Sequence, residues 1–278
     1  MILKSQIEEV SKLDDWITVI LGHRKRGYNL IEQWNAIQNQ TIKPKEVIIV
    51  KNEKHFEIPK EIAEQAIVVE TNNNLWVRFR FTVALMAKTK YICMFDDDTM
   101  PGSMWLENCL NESKKQRGLY GTIGCLYGMA KPDRARNWGE KKEWLEHYYS
   151  HIRFGWANPN EKTVMVDIVW HAWFFDRDML TEAYFREPLL PQYRMCWEDM
   201  HFSYAIQKYL WLSTFVPPHP KDNKEMRGSQ KGWELWTRDS SWAMIWKWDN
   251  DPYDLYHQML RIQGFKSVIE IFDANNGI

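Results

Sequence analysis

The amino-acid sequence predicts an α/β fold with a mixed, mostly parallel sheet flanked by helices, on three observations. Compact apolar runs recur at residues 17–21, 47–50, 67–69 and 91–95, apolar throughout rather than alternating. Strands of that kind belong to sheets covered on both faces. Segments of helical period separate the runs, as in β-α-β units whose right-handed crossovers carry the strand-end loops to one rim. The loops that would meet there are chemically active: Gly22-His23-Arg24-Lys25-Arg26-Gly27, Lys51-Asn52-Glu53, Asn72-Asn73-Asn74 and Asp96-Asp97-Asp98.

Each element has a local reason. Residues 17–21 form a buried strand, and Leu30, Trp34 and Ile37 recur on one face of the helix that follows its basic loop. Pro44 breaks the chain before the second strand, 47–50, and 67–69 reads as a third, short one. The Asn72–Asn74 run can cap a helix with Trp76, Phe79, Val83 and Met86 on one face, leaving Arg78 partly free. The fourth strand, 91–95, ends in the acids. Pro101-Gly102 opens a helix to about residue 116, and 120–127 is a strand. Residues 131–162 show no clean period and read as a loop and helix excursion. Residues 163–170 and 173–175 continue the sheet, and Glu198-Asp199 leads a helix with Phe202, Ala205, Ile206, Tyr209 and Leu210 on one face. A last strand, 214–216, is closed by Pro217-Pro218-His219-Pro220. The domain is expected over 1–220, with a Trp-rich helical extension over 221–278 packed on it.

Composition narrows the class. A net charge of −1 supplies no global basic field, which argues against a nucleic-acid partner. No apolar stretch approaches the ~20 residues that span a bilayer, and the mixed, charged N-terminus does not read as a signal peptide. Cys93, Cys109, Cys125 and Cys196 are scattered without a C-x-x-C pair, which suits small core residues and a cytoplasmic, reducing setting. Tryptophan is the unusual residue: 16, against 12 Phe and 12 Tyr. Most read as core or interface anchors, and Trp170, Trp173 and Trp197 lie near the candidate site in sequence. The tail tryptophans, Trp233, Trp236, Trp242, Trp246 and Trp248, are expected to fold back on the domain, with a homodimer or membrane-surface contact as alternatives.

The chemistry concentrates on Asp96, Asp97 and Asp98. Two unit charges about 4 Å apart repel by roughly 4 kcal/mol at an effective dielectric near 20. Three adjacent acids at the end of a buried strand therefore need a proton, a basic neighbour or a cation. A hard divalent cation suits oxygen ligands and can bridge to phosphates.

Phe95-Asp96-Asp97-Asp98 after a strand resembles the D-x-D motif of GT-A (Rossmann-like) nucleotide-sugar glycosyltransferases, and Glu198-Asp199 opening a helix resembles the E-D motif of the family 2-like branch. The segment from Thr71 through Asn72-Asn73-Asn74-Leu75-Trp76-Val77-Arg78 to Phe79 is similar to the Asn/Arg stretch of exostosin-like enzymes. The resemblance covers roughly residues 17–216. Asn52-Glu53 stands where many members carry an acidic D-D-G-S-like turn, and no Q-x-x-R-W motif of processive synthases is present.

The resemblance implies a glycosyltransferase, with Mn²⁺ or Mg²⁺ bridging the acids to a nucleotide-sugar donor, UDP-linked first among the choices, and a glycan hydroxyl as acceptor. It implies Asp98 as direct metal ligand, Asp96 at ribose, sugar hydroxyls and metal, and Asp97 assisting. Asp199 becomes the general base and Glu198 its orienting partner. Gly22, Arg24, Asn52, Glu53 and Asn74 are candidates around the nucleoside, and Arg78 at phosphate or ribose. His171 and His219 are candidate further metal ligands, His219 favoured by its place between prolines at a strand end. A base at Asp199 suggests inversion, and the exostosin-like segment would suggest retention. The alternatives are a sugar-phosphate nucleotidyltransferase, whose Gly-rich signature is thin here, and a non-catalytic glycan-binding protein on a decayed transferase fold.

Overall fold

The computed structural model describes residues 15–127, 151–155, 158–188, 197–230 and 260–276. The strands are β1 (Ile17–His23), β2 (Glu46–Asn52), β3 (Ile67–Thr71), β4 (Tyr91–Phe95), β5 (Leu119–Tyr127), β6 (His151–Gly155), β7 (Val164–Val166), β8 (Ile168–Asp176) and β9 (Thr214–Val216). The α-helices are α1 (Leu30–Gln38), α2 (Lys60–Ala63), α3 (Phe79–Ala84), α4 (Trp105–Lys115), α5 (Glu198–Leu210) and α6 (Val268–Asn276). One mixed sheet runs in the order β3-β2-β1-β4-β8-β5-β9-β7, with β6 paired to β5. From β3 to β4 every pairing is parallel. Beyond β4 the sheet is mixed: β8 lies antiparallel between β4 and β5, β9 pairs with β5 in parallel, and β7 pairs with β9 antiparallel.

Alternation along the strands explains why they read as continuously apolar. Val19 and Leu21 of β1 pack with Leu30, Trp34 and Ile37 of α1 and with Trp105 and Leu106 of α4. Ile20 faces the other way, into a layer with Phe81 and Val83 of α3 and Phe202, Ala205 and Ile206 of α5. Both faces are covered, so neither needs polar residues.

Four expectations are corrected. β3 is the sheet edge: Ile67 and Val68 are exposed, so this apolar run is not buried. In α3 the buried residues are Arg80, Phe81, Val83 and Ala84, while Trp76 and Met86 are exposed. Arg78, expected to be partly free, is buried. The run 163–175 is two strands, broken at Asp167, whose carboxylate accepts the backbone N–H of Val268 at 2.6 Å and so anchors α6. Of the expected excursion over 131–162, residues 151–155 form β6, and 131–150 lie outside the described residues. Cys196 and the tail tryptophans Trp233, Trp236, Trp242, Trp246 and Trp248 also lie outside them. Cys93, Cys109 and Cys125 are buried and form no disulfide among the described residues.

α5 ends at Trp211, left-handed at φ 56° and 90 % exposed. Among the described residues no helix is long and apolar enough to cross a membrane.

Candidate active site

The site starts at the end of β4. Phe95 is fully buried, and the chain then turns through Asp96, Asp97 and Asp98 at the C-terminal edge of the parallel strands, where open α/β sheets place ligands. The turn is fixed from α1 and the loop before it. The Gln33 amide donates to the carbonyls of Asp96 at 2.7 Å and Thr99 at 2.8 Å, and Asn29 donates to the carbonyl of Asp97 at 2.9 Å. Gln33 is itself held at 2.8 Å by the buried His23.

Two buried arginines take the outer carboxylate oxygens. Arg26 donates to Asp97 at 3.0 Å and to Asp98 Oδ2 at 2.6 Å. Arg80 reaches Asp96 Oδ1 with one terminal nitrogen and Glu198 at 2.8 Å with the other. The Trp173 ring lies 4.4 Å from its guanidinium carbon and supports it from below. Arg80 therefore joins the acids after β4 to the start of α5, more than a hundred residues later in sequence.

The inner oxygens are left facing an imidazole. Nδ1 of His171, on β8, lies 3.5 Å from Asp96 Oδ2 and 3.8 Å from Asp98 Oδ1. The three side chains offer ligand atoms within 4.8 Å of one another, and Asp98 Oδ1 is buried without a hydrogen-bond partner among the described residues. Two carboxylates and an imidazole fit a divalent cation, and the nitrogen donor favours a transition ion such as Mn²⁺ over Mg²⁺. Burial opposes charge on His171, but contact with Asp96 and Asp98 outweighs it and lifts its pKa to about 9. Its proton occupies the place where a cation's charge would fall.

Asp199 sits one residue beyond Glu198. Burial, then the Glu198 and Asp96 charges, push its carboxyl up to about 7. Asp97 is pushed up to about 7 by burial and by Asp98. Asp96 goes the other way: burial opposes its charge, but Arg80 and His171 hold it down to about 2.

The nucleoside-side candidates gather at the ends of β2 and β3. The Asn52 amide donates to Asn74 Oδ1 at 3.0 Å and its carbonyl accepts Leu75 N at 2.9 Å. Glu53 pairs with Arg24 at 2.5 Å and with His55 at 3.1 Å. Gly22 borders Arg80, where a Cβ would meet Arg80 Cδ at 3.5 Å, ordinary contact, so the position does not demand glycine. The Arg78 guanidinium carbon lies 5.8 Å from the Tyr184 ring centre.

Backbone strain concentrates here. Among the described residues Glu53, Trp76, His171, Trp197 and Trp211 are the non-glycines with positive φ, and all but Trp211 adjoin this rim. Such outliers cost about 1–3 kcal/mol each and cluster where function fixes the geometry.

The family model described as glycosyl transferase family 2 matches residues 7–183, more than half of the chain. The chain belongs to this family. The match ends before Glu198, so the family 2 region and the α5 acids are joined by Arg80. No curated protein matches the chain. Among solved structures, S. aureus TarS is similar at 14 % identity and a TM-score of 0.47, over 73 % of this chain and 36 % of that one. Its 1–349 segment in complex with UDP is similar at 13 % and 0.46, over 72 % of this chain and 60 % of that one. The chain thus spans between about a third and three fifths of the TarS chains.

Within this family 2 chain, the structure brings together Asp96, Asp97, Asp98, Glu198 and Asp199, and places His171 with them. His219 is elsewhere. It is fully buried, Nδ1 against the Pro217 carbonyl at 2.8 Å and Nε2 against Thr122 at 3.3 Å, with its ring edge-on to Trp105. β9 pairs with β5 and β7, not with β4, so the proline-flanked strand end does not reach the acid cluster. Arg26 and Arg80 escaped selection from sequence. Arg26 lay in the basic loop but looked like one solvated charge among several. Arg80 shares with Ala84 the i, i+4 spacing of a buried stripe, a signal too short to stand out in six residues.

Proposed function

We propose that the protein moves a glycosyl group from a nucleotide-diphosphate sugar, with UDP-sugars the first class to test, to a hydroxyl of a glycan acceptor by direct, inverting displacement. The observation that carries this reading is Arg80, whose two ends hold Asp96 and Glu198 in one crevice. One guanidinium thereby ties Asp96 of the cation cluster to Glu198, the chain neighbour of Asp199.

Asp96, Asp98 and His171 would hold a divalent cation, Mn²⁺ or Mg²⁺. Such an ion supplies Lewis-acid stabilisation of the charge that develops on a leaving diphosphate. The remaining roles belong to the chain's own groups. Arg26 and Arg80 fix the carboxylates so that their free oxygens point inward, and Asn52, Glu53, Asn74 and Arg24 border the space for the nucleoside. Asp199 takes the acceptor proton as the hydroxyl attacks the anomeric carbon. Its raised pKa suits that task, because a base is most effective when its pKa lies near the working pH. Glu198, tied to Arg80, keeps the first turn of α5 in place.

The test is a thermal-shift panel of UDP-, GDP-, dTDP- and CMP-sugars with and without Mn²⁺, on wild type and Asp98→Ala. Ligands that bind the native state raise its midpoint by mass action. The expected result is a Mn²⁺-dependent rise with one nucleotide class that Asp98→Ala abolishes. An undiminished Mn²⁺-dependent rise in the variant would remove Asp98 from the metal site.

A further inference from the structure

Trp76 stands on the sheet rim in a backbone conformation that favours glycine. Its φ is 62°, in the left-handed region, where a side chain strains the chain and glycine does not. Two asparagines hold it there. Asn74 Oδ1 accepts the Trp76 N–H at 2.9 Å, and the Asn52 amide donates to the Trp76 carbonyl at 3.4 Å. The same Asn52 amide donates to Asn74 Oδ1 at 3.0 Å, and its carbonyl oxygen accepts Leu75 N at 2.9 Å. Both ends of the Asn52 side chain are therefore committed to the loop that carries Trp76.

The indole held in this way is not a core residue. It is 38 % exposed, lies outside both apolar clusters and has no ring or cation contact among the described residues. Trp34, Trp105 and Trp173 are buried within those clusters. An exposed apolar side chain alone is ordinary. One that a strained backbone and two asparagines fix at a ligand-binding edge calls for a function, because such outliers persist where the surroundings impose them. A large, partly open aromatic ring suits another flat ring.

The sheet order says which ring. Asn52 ends β2, and β2 is separated from β4 by β1 alone. Two strand spacings put that end roughly 10 Å along the rim from the end of β4. The helix that carries Asp199 lies the other way, α5 packing Phe202 edge-on against Phe175 of β8 at 4.9 Å, and β8 follows β4 on the side away from β2. The acid turn thus stands between Trp76 and the acceptor side. A nucleotide donor whose diphosphate meets the acid turn has its base at the far end, towards β2.

We propose that Trp76 is the stacking platform for the base of the nucleotide donor, and that Asn52 and Asn74 are positioning residues that hold it. This rests on the nucleotide-sugar reading. Stacking tolerates any base, since every base has a π face. Trp76 therefore supplies affinity for the nucleoside and leaves the choice among bases to other groups.

The test uses the full chain, by thermal shift with Mn²⁺ and either pyrophosphate or one of UDP, GDP, dTDP and CDP. Wild type should bind at least one nucleoside diphosphate more tightly than pyrophosphate. Trp76→Gly should weaken that nucleotide by about tenfold, the scale of one base–aromatic stack, and leave pyrophosphate unchanged. Trp76→Phe should keep most of the affinity. The midpoint of ligand-free Trp76→Gly should be no lower than that of wild type, because glycine relieves the left-handed backbone. Asn52→Ala should weaken the nucleotide in wild type and add nothing in Trp76→Gly. Full nucleotide affinity in Trp76→Gly overturns the proposal. A lowered midpoint with both ligands weakened equally also overturns it, by making Trp76 a structural residue. An additive loss in the double variant would make Asn52 a base contact and refute its positioning role. Wild type that binds neither pyrophosphate nor any nucleotide refutes the transferase reading itself, an outcome distinct from a nucleotide response that survives the loss of Trp76.

Discussion

Asp199 retains its proton into the neutral range because burial, Glu198 and Asp96 all disfavour the carboxylate. Only the ionised form can act as base, so transfer should rise with pH through about 7 and level off above it. Asp199→Asn should keep the Mn²⁺-dependent donor response and lose about 10²–10⁴-fold in transfer, the usual contribution of a positioned base. A variant within a few-fold of wild type, or a flat rate profile across neutrality, would remove Asp199 from that role. The acids themselves were legible as residues, because an apolar strand ending in three carboxylates has few bland explanations. Their partners were less so. Arg26 and Arg80 look like any helix or loop cation until the fold closes, and His171 was a candidate metal ligand ranked behind His219. What assigns it is the neighbour: β8 runs antiparallel beside β4, with Ala172 opposite Phe95.

At the scale of elements, α3 and α5 are coupled through an aromatic cluster. Phe81 stacks on Tyr184 at 4.5 Å and meets Phe202 and Trp173 edge-on at 5.8 and 6.1 Å. That cluster places Arg80 of α3 against the first turn of α5. Phe81→Ala should therefore cost about 3–5 kcal/mol, as buried Phe truncations do, read as a lowered urea midpoint. A loss below about 1 kcal/mol would mean that the site is held by its ion pairs alone. Most strands and the longer helices were visible in the sequence, since their apolar faces are set by covering layers. Of the face expected for α3, Val83 is buried and Phe79 packs against the core, while Trp76 and Met86 lie outside the helix and are exposed, because six residues give fewer than two turns of period. β3 was drawn as buried because apolarity cannot tell a sheet edge from its interior.

For the whole molecule, the buried titratable groups set an optimum. His23, His201 and His219 are pushed down by burial to about 4, 3 and 4. Below the unfolded imidazole value of about 6.5 the unfolded chain therefore binds three protons that the native state refuses. Asp97 and Asp199, raised to about 7, offset two of those by holding protons in the native state. The net of one makes stability fall by about 1.4 kcal/mol per pH unit towards acid. Above about 6.5 the three imidazoles drop out of the balance. Deprotonation of Asp97 and Asp199 and the loss of the proton that His171 holds up to about 9 then lower stability as pH rises. The thermal midpoint of the metal-free protein should peak near pH 6.5. A midpoint that climbs steadily through pH 8 would refute this balance.

The left-handed residues at the rim have one more consequence. Glu53, Trp76, His171 and Trp197 hold backbone angles that an unconstrained chain would leave. The surrounding sheet and the Gln33 and Asn29 amides keep the acid turn beside them fixed. The unfavourable dihedral free energy, about 1–3 kcal/mol for each such residue, is met when the chain folds and is absent from the binding step. On the proposed function, a donor arriving at this rim meets an acid turn that these amides already hold. Contact energy that need not order this turn is left to distinguish the transition state from the bound ground state.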